Sequence, residues 1–526
     1  MLSTVYTAAL CGIDAFLVTV ECSAWDRLPR FDMVGLGDTA VKEAKDRVRS
    51  ALENSGFMFP ELDIMINLAP ADRRKEGSAC DLAICLSILQ GAGHLPSSLD
   101  LSGACFLGEL SLSGEIRPIS GVLCMALAAK EAGKARLFVP KENAAEAAVV
   151  SGLTVYGVGS VREIFAVLSG KATVTPTTYD QREFASKIHD TDLDFADVRG
   201  QYRAKRALTI AAAGGHNVLL IGPPGAGKSM LAKRVPTILP DFTFDEAIET
   251  TKIYSVSGLL RENIMTSRPF RSPHHTVSAA GMIGGGANPK PGEISLAHGG
   301  VLFLDELPEF SKSLTETLRQ PLEDGEVTVT RARARVRYPA SFMMICAMNP
   351  CKCGNYGSDK PCTCRKGDVQ KYLDRISGPL LDRIDIHVEL PSVTFDALRG
   401  NAPARPDESS ADIRAKVNRA RAFAKERFEI LVHKAESEGV EVKSTVPTSN
   451  ALLSPAQIRL QCILDEDAED IFRAAFEKLG LSARGHDRLL KISRTIADLD
   501  ESIIIRRKHV AEAVVFRSLD RKYWRR

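Results

Sequence analysis

Residues Gly222-Pro-Pro-Gly-Ala-Gly-Lys-Ser229 constrain this chain more than any other feature. They match G-x-x-x-x-G-K-[ST], a pattern that average residue frequencies produce roughly 0.02 times in a chain this long. The loop Gly222, Pro223, Pro224, Gly225, Ala226, Gly227 curls until successive N–H groups converge on phosphate oxygens. The helix that follows adds its N-terminal dipole. Lys228 then supplies a point charge for the β- and γ-phosphates of a nucleotide such as ATP, and Ser229 a hydroxyl ligand for Mg²⁺. Context agrees with the motif. The apolar run NVLLI (217–221) lies directly before it and the helical pattern MLAKRVPTIL directly after. VLFL (301–304) and FMMICAM (342–348) are further continuous apolar runs, as a parallel sheet buried on both faces requires.

A phosphate loop needs a carboxylate on the metal side, at the tip of a neighbouring strand. Asp305, at the end of VLFL, fills that place, and Glu306 beside it is placed to orient and deprotonate the attacking water. Asn349 ends FMMICAM and could hold the water or the γ-phosphate. Arg383, in GPLLDRIDI, precedes another apolar strand, and Arg484, in SARGHDRLL, opens a helix. An arginine can stabilise charge on the transferred phosphoryl group, and a neighbouring subunit can supply it. On spacing alone both arginines read equally as surface ion pairs.

The rest of the composition sets bounds. At about 150 residues per domain, 526 residues imply three or four domains. Lys plus Arg is 68 and Asp plus Glu 66, a net charge of +2, which excludes a globally basic coat but not a local basic patch. No apolar run is long enough to span a membrane. No Lys or Arg precedes Arg27, so a secretory signal is not expected and the cytoplasm is. Three blocks emerge: 1–170 of mixed strands and helices, 196–395 of alternating α and β, and a helical 447–526. An aperiodic linker covers 171–195, and a linker and helix cover 396–446. Strand alternation at 62–68 and helical spacing at 40–54 are the clearest local patterns in the first block. Eight scattered cysteines read as reduced core thiols. The terminal RKYWRR reads as a frayed, solvated tail.

Together the phosphate loop, the Asp-Glu strand, the Asn strand end and the LLDR arginine resemble an AAA+ ATPase with a helical lid. RPFRSPHHTVSAAGMIGGG (268–286), PGEISLAHGGVLFLDELPEF (291–310) and SARGHDRLLKISRTIADL (482–499) narrow the resemblance to the magnesium-chelatase-like branch. Nearly the whole chain resembles the YifB and competence protein ComM family. The resemblance implies that Lys228 and Ser229 are Walker A, Asp305 and Glu306 Walker B, Asn349 sensor 1, Arg383 a trans arginine finger and Arg484 sensor 2. Arg375 is a rival finger. It also implies a homo-hexameric ring using ATP and Mg²⁺ to translocate on single-stranded, duplex or branched DNA. Branch migration in recombination, uptake of transforming DNA and recombination-protein partners go with that. A chelatase-type motor that remodels a protein partner is the alternative.

Residues 61–140 resemble the proteolytic domain of the Lon family, through LAPADRRKEGSACDLAI (68–84) and GELSLSGEIRPISG (108–121). That chemistry needs a serine activated by a lysine amine. Ser78 stands at the serine position, but the lysine position is Leu123, and Lys130 is about two helical turns further on. An α+β fold without the protease is expected.

Two clusters remain. EVTVTRARARVR (326–337) follows the turn signal Asp324-Gly325. Alternation predicts Arg331, Arg333, Arg335 and Arg337 on one strand face, where they would bind DNA phosphates without reading sequence. A solvated edge strand is the competing reading. The glycine-rich 281–292 is expected to be a second, non-rigid pore loop. Cys351, Cys353, Cys362 and Cys364 form C-x-C-x8-C-x-C. Four thiolates suit tetrahedral Zn²⁺, although the spacing is tighter than the usual zinc pattern. An iron–sulfur cluster needs wider spacing, and free thiols are the third reading. His274 and His275 read as a polar loop contact in preference to a metal pair.

Overall fold

The computed structural model describes residues 2–187, 191–286, 289–331, 334–357, 360–392, 407–437 and 446–524. At its centre stands a five-stranded sheet in the order Phe270–Arg271, Val301–Leu304, Met343–Met348, Val218–Ile221, Ile386–Glu389. All its pairings are parallel. Every residue of the three middle strands is buried, so each Val, Leu or Ile there contributes about 1.5–3 kcal/mol of apolar burial. A parallel sheet delivers its strand ends to one edge. Gly222, Asp305 and Asn349 each follow the last residue of adjacent strands, which is why residues far apart in sequence meet.

The N-terminal block is α+β. One sheet runs Leu2–Cys11, Asp14–Trp25, Asp63–Ala69, Arg30–Val34, and a second, parallel sheet runs Ala104–Phe106, Arg136–Pro140, Thr154–Val158. The predicted helix at 40–54 is Thr39–Asn54, started by Asp38, whose carboxylate accepts from the Val41 N–H at 2.9 Å. The predicted strand at 62–68 is Asp63–Ala69. Helix Asp81–Gly91 is buried along its whole length.

The C-terminal helices pack back on the ATPase sheet around a buried ionic knot. Asp498 accepts from Arg427 Nε at 2.9 Å, Arg494 Nε at 3.1 Å and Asn450 Nδ2 at 2.7 Å. Thr495, one residue from Arg494, bonds His216 at 2.8 Å, and His216 lies 3.3 Å from Asp385 at the foot of the sheet. The lid is therefore tied to the same strands that carry the phosphate loop.

Four expectations change. The segment 171–195 contains helix Gln181–Lys187, with Phe184 buried edge-on to Phe244. The C-terminal tail is docked: Tyr523 is buried and donates to Glu389 at 2.7 Å, and Trp524 Nε1 reaches the Leu373 carbonyl. Two aromatic bodies in six residues outweighed the flanking charges. In the glycine-rich loop, Gly284–Gly285 pairs with Lys290–Pro291, because glycines let two backbones meet without Cβ atoms. Among the eight scattered cysteines Cys11 alone is exposed, as the last residue of the first strand.

Candidate active site

Gly225 and Gly227 have φ of 79° and 87°, left-handed values that turn the loop's N–H groups inward. The Lys228 ammonium is buried and donates to the carbonyls of Gly222 at 2.7 Å and Pro223 at 2.9 Å, and to Asn349 Oδ1 at 3.0 Å. Burial pulls its pKa below the ordinary lysine value, while Asp305 and Glu306 oppose that shift. Ser229 Oγ donates to Asp305 Oδ2 at 2.7 Å. Two oxygens this close can share one octahedral ion, so the pair fits the Mg²⁺ that accompanies a nucleotide.

Glu306 sits at φ 54°, ψ 46°, a left-handed backbone that a non-glycine residue adopts only under constraint. That bend turns its side chain away from the sheet, leaving it 60% exposed. Its carboxylate lies 3.9 Å from His275 Nδ1. His274 instead bonds Thr276 at 2.8 Å.

The predicted arginines gather elsewhere. Arg383 is 6% exposed; it donates to the Pro379 carbonyl at 2.8 Å and to Glu323, and its Nε has no partner among the described residues. Arg484 also approaches Glu323, at 4.0 Å, with 63% of its side chain exposed. Neither makes a hydrogen bond or ion pair to the phosphate loop among the described residues. Arg375 is the more accessible of the two finger candidates, paired at 2.9 Å to Glu309. Sequence reasoning missed Glu323, which draws Arg383 and Arg484 together. It also missed Gln201, whose Nε2 donates to the carbonyls of Ala226 at 3.1 Å and Pro391 at 3.0 Å. Gln201 follows a glycine at the start of a helix, a signal too common to read.

The four cysteines converge beside this site. Their Sγ atoms lie within 4.8 Å of one another, with separations of 3.3 Å (Cys351–Cys353), 3.7 Å (Cys351–Cys362) and 3.6 Å (Cys353–Cys362). Tetrahedral Zn–S bonds of about 2.3 Å place sulfurs about 3.8 Å apart, so the set fits zinc. Backbone N–H groups of Asn355 and Thr363 hold the Cys353 thiol well below its usual range. The Tyr356 N–H points at Cys351 Sγ at 3.3 Å, as outer partners of metal thiolates do. Gly354, at φ 81°, lies flat on the phosphate loop: a Cβ there would come within 2.4 Å of Pro224 Cδ.

The arginine run is a hairpin of Glu326–Arg331 and Ala334–Pro339, so positions 331 to 337 do not lie on one strand. Arg335 and Arg337 face Thr330 and Thr328 and are exposed. Position 331 pairs with Ala334 across the hairpin, and the Arg331 side chain lies outside the described residues. Arg333 lies outside the described residues.

Ser78 Oγ donates to Glu109, and no lysine bonds it among the described residues. Leu123 is fully buried, Lys130 is exposed, and Lys75 is spent on the Pro70 carbonyl. Peptide hydrolysis is therefore expected to be absent, and Ser78→Ala to leave a fluorogenic-peptide assay unchanged at background.

Three family models match: "Magnesium chelatase, subunit ChlI" over residues 194–398, "Subunit ChlI of Mg-chelatase" over 20–143, and "Magnesium chelatase, subunit ChlI C-terminal" over 407–517. Competence protein ComM of Haemophilus influenzae is 42% identical over 522 residues, covering 99% of this chain and 98% of that protein. Protein YifB of Escherichia coli is 42% identical over 523 residues, with the same coverage. Lon protease 2 of Bacillus subtilis is 30% identical over 146 residues, 26% of each chain. Among the described residues, no helix is long and apolar enough to cross a membrane.

Proposed function

Because the chain belongs to the ComM and YifB family of magnesium-chelatase-like AAA+ ATPases with an N-terminal Lon-like region, we propose that it is an ATP-driven DNA motor. It works as a hexameric ring and promotes branch migration in homologous recombination, notably of transforming DNA. The convergence of Lys228, Ser229, Asp305, Glu306 and Asn349 at one edge of the parallel sheet carries the ATPase half. The exposed Arg335 and Arg337 on one hairpin face, and a relative named for competence, support the DNA half.

The chemistry follows from the geometry. The phosphate-loop N–H groups and Lys228 orient the β- and γ-phosphates. Ser229 and Asp305 would hold Mg²⁺, whose charge would offset that of the phosphates. Glu306, on its outward bend, accepts a proton from the attacking water, while Asn349 fixes Lys228 and is within reach of the γ-phosphate side. Arg383 or Arg375 acts on a neighbour's nucleotide in the ring. For Arg383 that means release from Glu323. The four cysteines would hold zinc, and through Gly354 that loop would brace Pro224.

All three matching family models carry the chelatase name, so remodelling of a protein partner is the competing reading. The test is a labelled four-way junction incubated with the protein and ATP. Conversion to duplex products that disappears with Lys228→Ala supports the motor. ATP turnover with no movement of any DNA overturns it.

A further inference from the structure

The retired protease cleft is not closed off. A cavity of about 900 Å³ opens beside Ser78 and is walled by both halves of the molecule. On the N-terminal side stand Arg73, Arg74 and the Gly12 turn. On the ATPase side stand Lys290, from the glycine-rich loop, and Arg335 and Val336, from the hairpin. The two walls are in firm contact, since a Cβ on Gly12 would lie 2.4 Å from Val336. The two ATPase elements are also fixed to each other, through Tyr338 Oη donating to the Pro289 carbonyl at 2.6 Å. The hairpin and the glycine-rich loop therefore both face the cleft beside Ser78.

Charge in the cleft is unbalanced in a specific way. Two of its three carboxylates are ion-paired, Glu76 by Arg74 at 3.6 Å and Asp14 by Lys252 at 2.9 Å, and the third, Glu109, accepts from Ser78 and faces three unpaired cations. Among the described residues no ion pair holds Arg73, Lys290 or Arg335. Arg73 lies over the Phe16 ring at 5.2 Å, which makes a flat cationic platform in the wall. Unpaired cations, one of them a flat guanidinium held on a ring, are features that bind single strands, by phosphate contact and by stacking of a base on the guanidinium plane. A duplex is too stiff and wide to enter a cleft of this volume.

We propose that this cleft is a track for single-stranded nucleic acid, with Arg73 meeting its phosphates from one wall and Lys290 and Arg335 from the other. The inference rests on the DNA reading above and adds a second contact surface, on the N-terminal domain, to that of the hairpin. An inert protease fold is then retained because its cleft guides a strand.

Cys11, the exposed thiol in the cleft wall, reports on occupancy. The full chain is treated with iodoacetamide, with and without a thymidine oligonucleotide. At ten times the dissociation constant, alkylation of Cys11 is expected to slow about tenfold. The paired change Arg73→Ala and Lys290→Ala is expected to lower the slope of log affinity on log salt by about 1.4. The unfolding midpoint checks that the variant folds; if it does not, Arg73→Gln alone is read, with half that change. Oligonucleotide binding that leaves Cys11 fully reactive and the salt slope unchanged overturns the track but not the DNA motor. Absence of any oligonucleotide binding overturns both. Protection by polyglutamate and not by the oligonucleotide overturns the track in favour of an acidic peptide.

Discussion

Glu306→Gln is expected to lower ATP turnover by about 10²- to 10⁴-fold, the range a positioned general base contributes. Nucleotide affinity is expected to hold. The reason is geometric. Asp305 already carries the Ser229 hydroxyl and the Glu306 N–H, so the metal side of the site is complete without the Glu306 side chain. Glu306 is free of strong partners and bent outward, and glutamine keeps its shape while losing only the ability to take a proton. Phosphate release and binding of a fluorescent ATP analogue, measured side by side, separate the two effects. Lys228→Ala is the contrast: it removes the buried ammonium that touches loop and Asn349 together, so binding itself is expected to fail.

Cys351→Ser carries the second large expected effect. Cys351 is the fully buried member of the four and follows Asn349 by two residues. The wild-type chain is expected to hold one equivalent of zinc by elemental analysis, and the variant to lose it. A ligand set of this kind binds zinc with an apparent free energy of about 10–16 kcal/mol in small peptides, much of it expressed as folding of the loop. Loss of the ion frees the segment that presses Gly354 on Pro224, so the KM for ATP is expected to rise more than kcat falls. Gly354→Ala isolates the contact: it keeps the four thiols and adds both a left-handed strain and a clash with Pro224. Retained zinc with a raised KM is the expected outcome. A Cys351→Ser protein with full ATP affinity contradicts the brace.

The parts of this site that could be read from sequence are those written in local spacing. The phosphate loop, Asp305 and Glu306 at a strand end, and Asn349 at the next are each fixed within a few residues by strand–turn chemistry. The structure brings Lys228 within 3.0 Å of Asn349 and Ser229 within 2.7 Å of Asp305, with the Glu306 side chain turned outward beside them. Glu323 and Gln201 could not be read, because each acts on residues far away in sequence: 60 residues to Arg383, and 25 and 190 to Ala226 and Pro391. The arginine run misled for a related reason. Arg-Ala-Arg-Ala contains no glycine or proline, so nothing marked the reversal that splits it into two strands. The docked tail shows the limit of charge counting, since Tyr523 and Trp524 bury surface that four flanking cations do not reveal. The Lon-like region was legible as a fold, and the Leu123 that departs from the Lon pattern was legible with it. That its cleft faces the hairpin was not, because contact between domains leaves no periodicity in either.

The central claim is that ATP hydrolysis is coupled to DNA. Its most direct test is the rate of ATP hydrolysis without DNA and with single-stranded, duplex and four-way-junction DNA, with Glu306→Gln as the control. The account predicts strong stimulation, greatest with the branched substrate and lost in the variant. Equal turnover with and without every DNA would contradict it, and would leave an AAA+ ATPase whose work is done on a protein partner.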